Sequence, residues 1–149
     1  MDRDAVVALL AQSVPFNRVL GVEVLEIGDG EAIVRMPSSP DRLNHVGTVH
    51  AAAQFGLGEA AAGACVVARF GDLQAHGIVP LAVDASIHYL RPAAGALRAA
   101  AALDAESVNS IREDALAGNK PRFPVHVRIF DEVDRLTTEM SVTWVLMRV

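Results

Sequence analysis

Residues 44 to 63 limit what this chain can become. They read NHVGTVHAAAQFGLGEAAAG, and from Thr48 onward almost every side chain is small or apolar. The run continues through Phe70 without a proline, so the pattern predicts one long helix over about 48–70. It would start near Thr48 and end at Phe70-Gly71, with Gly71 as the residue after its last turn. Three glycines, Gly56, Gly58 and Gly63, each cost about 1 kcal/mol of helix propensity relative to alanine. Close packing against the helix backbone, or a function, must offset that cost. One carboxylate, Glu59, sits in the middle.

The remainder supplies what would pack there. DRDAVVALLAQ places Val6, Leu9 and Leu10 at helical spacing, and Pro15 and Asn17 then mark a break. GVEVLEIGDGEAIVRMP alternates on both sides of Gly28-Asp29-Gly30, the signature of a hairpin. Residues 37–47 read as a loop. After the helix, VPLAVDASIHYLRP, ALRAAAALDAES, RFPVHVRIFDE and RLTTEMSVTWVLMRV read as strands, although the alanines leave the second ambiguous. SVNSIREDALAG is a short helix or an excursion ended by Gly118, and Asp131 to Arg135 is the turn of a last hairpin. A single apolar helix with antiparallel strands before and after it implies an α+β fold whose curved sheet wraps that helix, one domain over 1–149.

At 100° per residue, Thr48, Ala52, Phe55, Glu59, Ala62 and Val66 share one stripe, and His50, Gln54, Leu57 and Ala61 share another. Glu59 therefore has apolar neighbours. Either desolvation raises its pKa towards the range of a general base, or it lies at a helix edge facing water. The free N–H groups over residues 49 to 52 form a second component, able to polarise a carbonyl. Glu59 lies roughly 10–15 Å along the same helix from them at 1.5 Å per residue. If both components act on one carbonyl, a second subunit must bring its own Glu59.

The motif NHVGTVHAAAQFGLGEAA resembles the Asn-x-x-Gly-x-x-His-Gly-Gly segment, with its following acidic residue, of hotdog-fold acyl-CoA thioesterases, most of all the phenylacetate-degradation type. YLRPAAG (89–95) is similar to that family's later Arg-Pro-x-x-Gly, and FPVHVRIFDEVDRLTTEMSVTW resembles its closing hairpin. The resemblance implies an antiparallel curved sheet around one central helix. It implies that Glu59 is the catalytic base or nucleophile, with Asn44 orienting water or the carboxylate. It further implies that His50 and the Ala52 N–H meet the thioester, where Ala51-Ala52 replaces the family's glycine pair, and that the substrate is bound around Gly47, Thr48, Ala51, Phe55 and Arg91.

These features make the expected activity hydrolysis of an acyl-CoA or related acyl thioester by a homodimer or dimer of dimers. Coenzyme A would enter as part of the substrate, with no separate cofactor and no metal. Arg91, Lys120 and Arg122 are candidates for its phosphates. Two alternatives stand: a hotdog hydratase or dehydratase, which needs a His–acid pair facing one pocket, and a non-catalytic acyl-ligand-binding protein. Thirteen basic against eighteen acidic residues give a net charge of −5, which argues against a nucleic-acid partner. Neither a signal peptide nor an apolar segment of membrane-spanning length is expected, so the reading is cytoplasmic, with no membrane partner. Cys65, the only cysteine, reads as a packing residue.

Overall fold

The computed structural model describes residues 2–28 and 30–149. It opens with α1 (Arg3–Ser13), capped by Asp2, whose carboxylate accepts from the Ala5 N–H at 2.9 Å. Where the sequence suggested only a break, a second helix forms, α2 (Pro15–Leu20), ended by Gly21 at φ 67°. Pro15 occupies its first turn, where the missing N–H needs no partner. Strands β1 (Glu23–Gly28) and β2 (Glu31–Met36) pair antiparallel as the expected hairpin. Its turn residue Asp29 lies outside the described residues.

The long helix α3 spans Ala51–Phe70. It starts three residues later than the pattern implied, because His50 and not Thr48 supplies the cap. The α-helix ends at Phe70 as expected, but Gly71 keeps right-handed helical geometry (φ −61°) instead of the left-handed conformation of a C′ glycine. The chain tightens into a 3₁₀ turn over Gly71–His76 and is released by Gly77 at φ 71°. Contrary to the expectation of no such segment, Ala51–His76 is long and apolar enough to cross a membrane. It is the core helix, most of it buried against the sheet.

Strands β3 (Ile78–Tyr89), β4 (Leu97–Ala102), β5 (Arg122–Phe130) and β6 (Leu136–Arg148) complete one antiparallel sheet in the order β1-β2-β4-β5-β6-β3. The ambiguous alanine segment is a central strand. Its inward residues Leu97, Ala99 and Ala101 are buried, and their small size lets the Ala/Gly helix approach, so packing overrides weak strand propensity. The segment before β5 is a helix, α4 (Val108–Leu116), followed by Gly118 at φ 89°. The sheet wraps α3 in the hotdog arrangement.

The glycines of α3 now have reasons. A Cβ on Gly58 would stand 2.6 Å from Met140 Sδ, and one on Gly56 would stand 2.5 Å from Leu20 Cδ1. The first lets β6 approach the helix, the second lets α2 do so. Gln54 ties helix to sheet: its Nε2 donates to the Val49 carbonyl and its Oε1 accepts from the Thr138 hydroxyl.

Candidate active site

The approach to α3 is a loop closed on itself. The Asn44 side chain builds it, its Oδ1 accepting from the N–H of Val46 (3.1 Å) and of Thr48 (3.0 Å) and its Nδ2 donating to the Thr48 hydroxyl (2.8 Å). Gly47 provides the turn at φ 81°, a left-handed conformation that other side chains rarely adopt. Leu43 and Val49 then pair across the loop mouth, and the His50 N–H donates to the Arg42 carbonyl.

His50 caps the helix. Its Nδ1 accepts from the Ala52 N–H at 2.9 Å, so in the neutral ring the proton resides on Nε2, a donor left for a ligand. The amide implied for the thioester carbonyl, that of Ala52, is thus engaged within the protein. Ala53 and Gln54 N–H groups both donate to the His50 carbonyl, and among the described residues the Ala51 N–H has no acceptor. The helix start therefore presents the Ala51 N–H and the His50 Nε2–H.

As far as Val66, α3 is buried except along one line, Ala51, Ala52, Phe55, Glu59 and Gly63, which Val67 continues into a last turn where Ala68 and Arg69 are half-buried too. The residues of that line are three and four apart, a single flank. Burial raises the pKa of Glu59 above the ordinary carboxylate value, and among the described residues its carboxylate has no hydrogen-bond or ion-pair partner. Both readings of Glu59 had part of the answer, since it is half-desolvated yet on the open flank. Eight residues separate it from Ala51, about 12 Å along the axis, so it does not meet the helix start of its own chain.

Tyr89 joins the group unannounced. Its hydroxyl, at the end of β3, donates to the Ala51 carbonyl at 3.1 Å, and burial raises its pKa. Tyr89 shares its strand face with Ala85 and Ile87, and its contact with a helix 38 residues earlier leaves no local signal in the sequence. His88 points to the other face, and Arg91, Lys120 and Arg122 are exposed. Gln54 is fully used in packing.

A cavity of about 400 Å³ adjoins the helix start. Phe16, Val19 and Leu20 of α2, with Leu43 and Ala53, form apolar walls; Ser39, Asp41, Arg42 and His50 supply polar groups. Another depression, of about 330 Å³, lies on the sheet's outer face among Ser86, His88, His126, Arg128, Glu139 and Ser141. It is separated from α3 by the sheet itself, so it shares none of the groups just described.

Edge strand β3 is long and open. Leu81, Val83, Tyr89 and Leu90 on and beside it are all between 42% and 49% exposed. The opposite edge is partly covered, since Arg3 of α1 donates to the Leu25 carbonyl at 3.0 Å.

Residues 2–146 match the family DUF4442, a domain of unknown function. No curated protein matches the sequence. Among solved structures, the chain is similar to PA5026 of Pseudomonas aeruginosa, a protein of unknown function described as "Probable Thioesterase". That likeness has 24% identity and a TM-score of 0.84, covering 99% of this chain and 96% of the other. The thioesterase enzyme SAV0944 of Staphylococcus aureus gives 18% identity and a TM-score of 0.71 over 90% and 99% of the two chains. The PaaI protein from the phenylacetic acid degradation operon of E. coli gives 17% and 0.72 over 95% and 89%. At these identities the likenesses carry the hotdog fold.

Proposed function

The chain belongs to the DUF4442 family, and from the hotdog fold and the geometry of α3 we propose that it is a hydrolase of acyl thioesters, acyl-CoA foremost. The observation that carries this reading is Glu59: a partly desolvated carboxylate without a partner among the described residues, on the open flank of a largely buried helix. A second copy of the chain covers that flank, joined edge to edge through β3, whose exposed apolar side chains and unpaired backbone suit such pairing. Each active site then uses the helix start of one copy and Glu59 of the other. A dimer of dimers is compatible with the same pairing.

The thioester oxygen is held by the Ala51 N–H and the His50 Nε2–H. Glu59 takes a proton from water, and the oxygen of that water attacks the thioester carbon. The negative charge that develops on the carbonyl oxygen is met by the two donors. Collapse breaks the C–S bond, the thiolate takes up the proton, and the products are the free acid and the thiol. Asn44 acts by shaping the loop that presents His50, while Phe55 and Thr48 flank the thioester. The Ala51 and Ala52 methyls, both exposed, line the entry. The same reading puts the protein in the cytoplasm.

Thiol release from short, medium, long and aromatic acyl-CoAs, compared between the wild type and Glu59→Gln, tests the proposal. Turnover that collapses in a mutant of unchanged oligomeric state is expected. Equal rates in the two proteins would remove Glu59, and no turnover of any thioester would favour the acyl-binding alternative.

A further inference from the structure

The cavity beside the helix start contains a cation that the mechanism above does not use. Arg42 projects from the 3₁₀ turn at Pro40–Arg42, and its Nη1 donates to the Pro37 carbonyl at 2.8 Å. The guanidinium lies against Gly21, where a Cβ would stand 2.7 Å from Nη2. Among the described residues its enclosed Nε has no acceptor and no carboxylate forms an ion pair with it. Asp41, next on the same rim, is exposed and does not pair with it. The facing walls are apolar, from Phe16, Val19 and Leu20. A half-desolvated cation on such a wall is costly unless an anion joins it. The unpartnered Nη2 is a donor of the planar kind that fits carboxylate and phosphate oxygens.

We propose that Arg42 is a specificity residue that binds an anionic group carried by the substrate away from its reacting carbon, so that the enzyme prefers thioesters with such a group. This rests on the thioesterase reading. The anion has two sources, the terminal carboxylate of a dicarboxylic acyl group or a phosphate of the carrier. His50 at one end of the cavity sets the thioester, and Arg42 sets the distance at which the charge is read.

The test uses hexanoyl and adipoyl thioesters, each on coenzyme A and on pantetheine, with the wild type, Arg42→Gln and Arg42→Lys. In the wild type the anion raises kcat/KM about tenfold or more at one of the two positions, and Arg42→Gln abolishes that advantage. Arg42→Lys restores part of it. An adipoyl preference identifies the acyl carboxylate; a coenzyme A preference identifies the phosphates. The proposal is overturned if neither preference exists, if either survives in Arg42→Gln, or if that variant slows all four substrates by the same factor. Should no thioester be turned over at all, the hydrolase reading falls, and calorimetry with adipate and with coenzyme A decides Arg42 separately. Binding weakened about tenfold in Arg42→Gln upholds the site, and no binding overturns it.

Discussion

Replacing Gly58 by alanine and replacing Gly63 by alanine are the same chemical change in one helix, and only the second should stabilise the protein. Each substitution gains about 1 kcal/mol of helix propensity. Within its own chain the new methyl at Gly63 meets only Trp144, at 3.5 and 3.7 Å, ordinary van der Waals contact, so the intrachain gain survives. At Gly58 it would stand 2.6 Å from Met140 Sδ, with Ile129 Cδ1 at 3.7 Å and Val127 Cγ1 at 3.8 Å closing the space around it. Met140 is itself buried, so it must displace core neighbours to yield. Overpacking of that kind costs about 1–3 kcal/mol. Subtracting the propensity gain leaves Gly58→Ala between neutral and about 2 kcal/mol less stable than wild type, and about 1–3 kcal/mol below Gly63→Ala. Urea unfolding followed by far-ultraviolet circular dichroism, at one protein concentration, measures the difference, and equal slopes license the comparison. A Gly58→Ala protein as stable as Gly63→Ala would refute the claim that Gly58 exists for strand approach.

Other consequences concern single side chains. Folding disfavours the ionised form of Glu59, so the native state holds that proton to higher pH than the unfolded chain. The group's stabilising contribution is complete below the unfolded pKa and is lost as pH rises through the folded one. Glu59→Gln should therefore be more stable than wild type at pH 7 and indistinguishable near pH 4, each tenfold change in the acid constant being worth about 1.4 kcal/mol; matching urea midpoints at pH 7 would contradict this. Asn44→Ala removes three loop hydrogen bonds, and the expected cost is about 1–3 kcal/mol by the same assay; an unchanged midpoint would mean the loop does not depend on Asn44. Burial pushes the Cys65 thiol up to about 11, and its Sγ donates to the Gly30 carbonyl. It should resist thiol reagents at pH 8 until urea unfolds the chain, whereas labelling in native buffer would show that the core opens readily.

The architecture was legible because its signals are local and repeated. Ala/Gly spacing over residues 51–64 marks a helix that strands approach, and alternation marks β1, β2, β5 and β6. The start of α3 and the role of Gly71 were misread for a local reason as well. Thr48 looks like a cap, but its hydroxyl is taken by Asn44, and Gly71 looks like a terminator although Gly77 has the left-handed conformation. The site was legible only in part. Glu59 stood out as a charge among small residues, and the family resemblance directed attention to Asn44 and His50. What could not be read was how these residues spend their hydrogen bonds: Asn44 on its own loop, the Ala52 N–H on His50. Tyr89 and Arg42 escaped because their significance arises from contacts across the fold, with Ala51 and with Gly21.

The central claim is that Glu59 acts as a base made more basic by its burial. The pH dependence of kcat/KM for the best acyl-CoA substrate tests it most directly. The account predicts an acid limb whose midpoint lies above the ordinary glutamate value of 4.5, and its disappearance with the residual activity of Glu59→Gln. A limb at or below 4.5, or one that Glu59→Gln leaves in place, would contradict it.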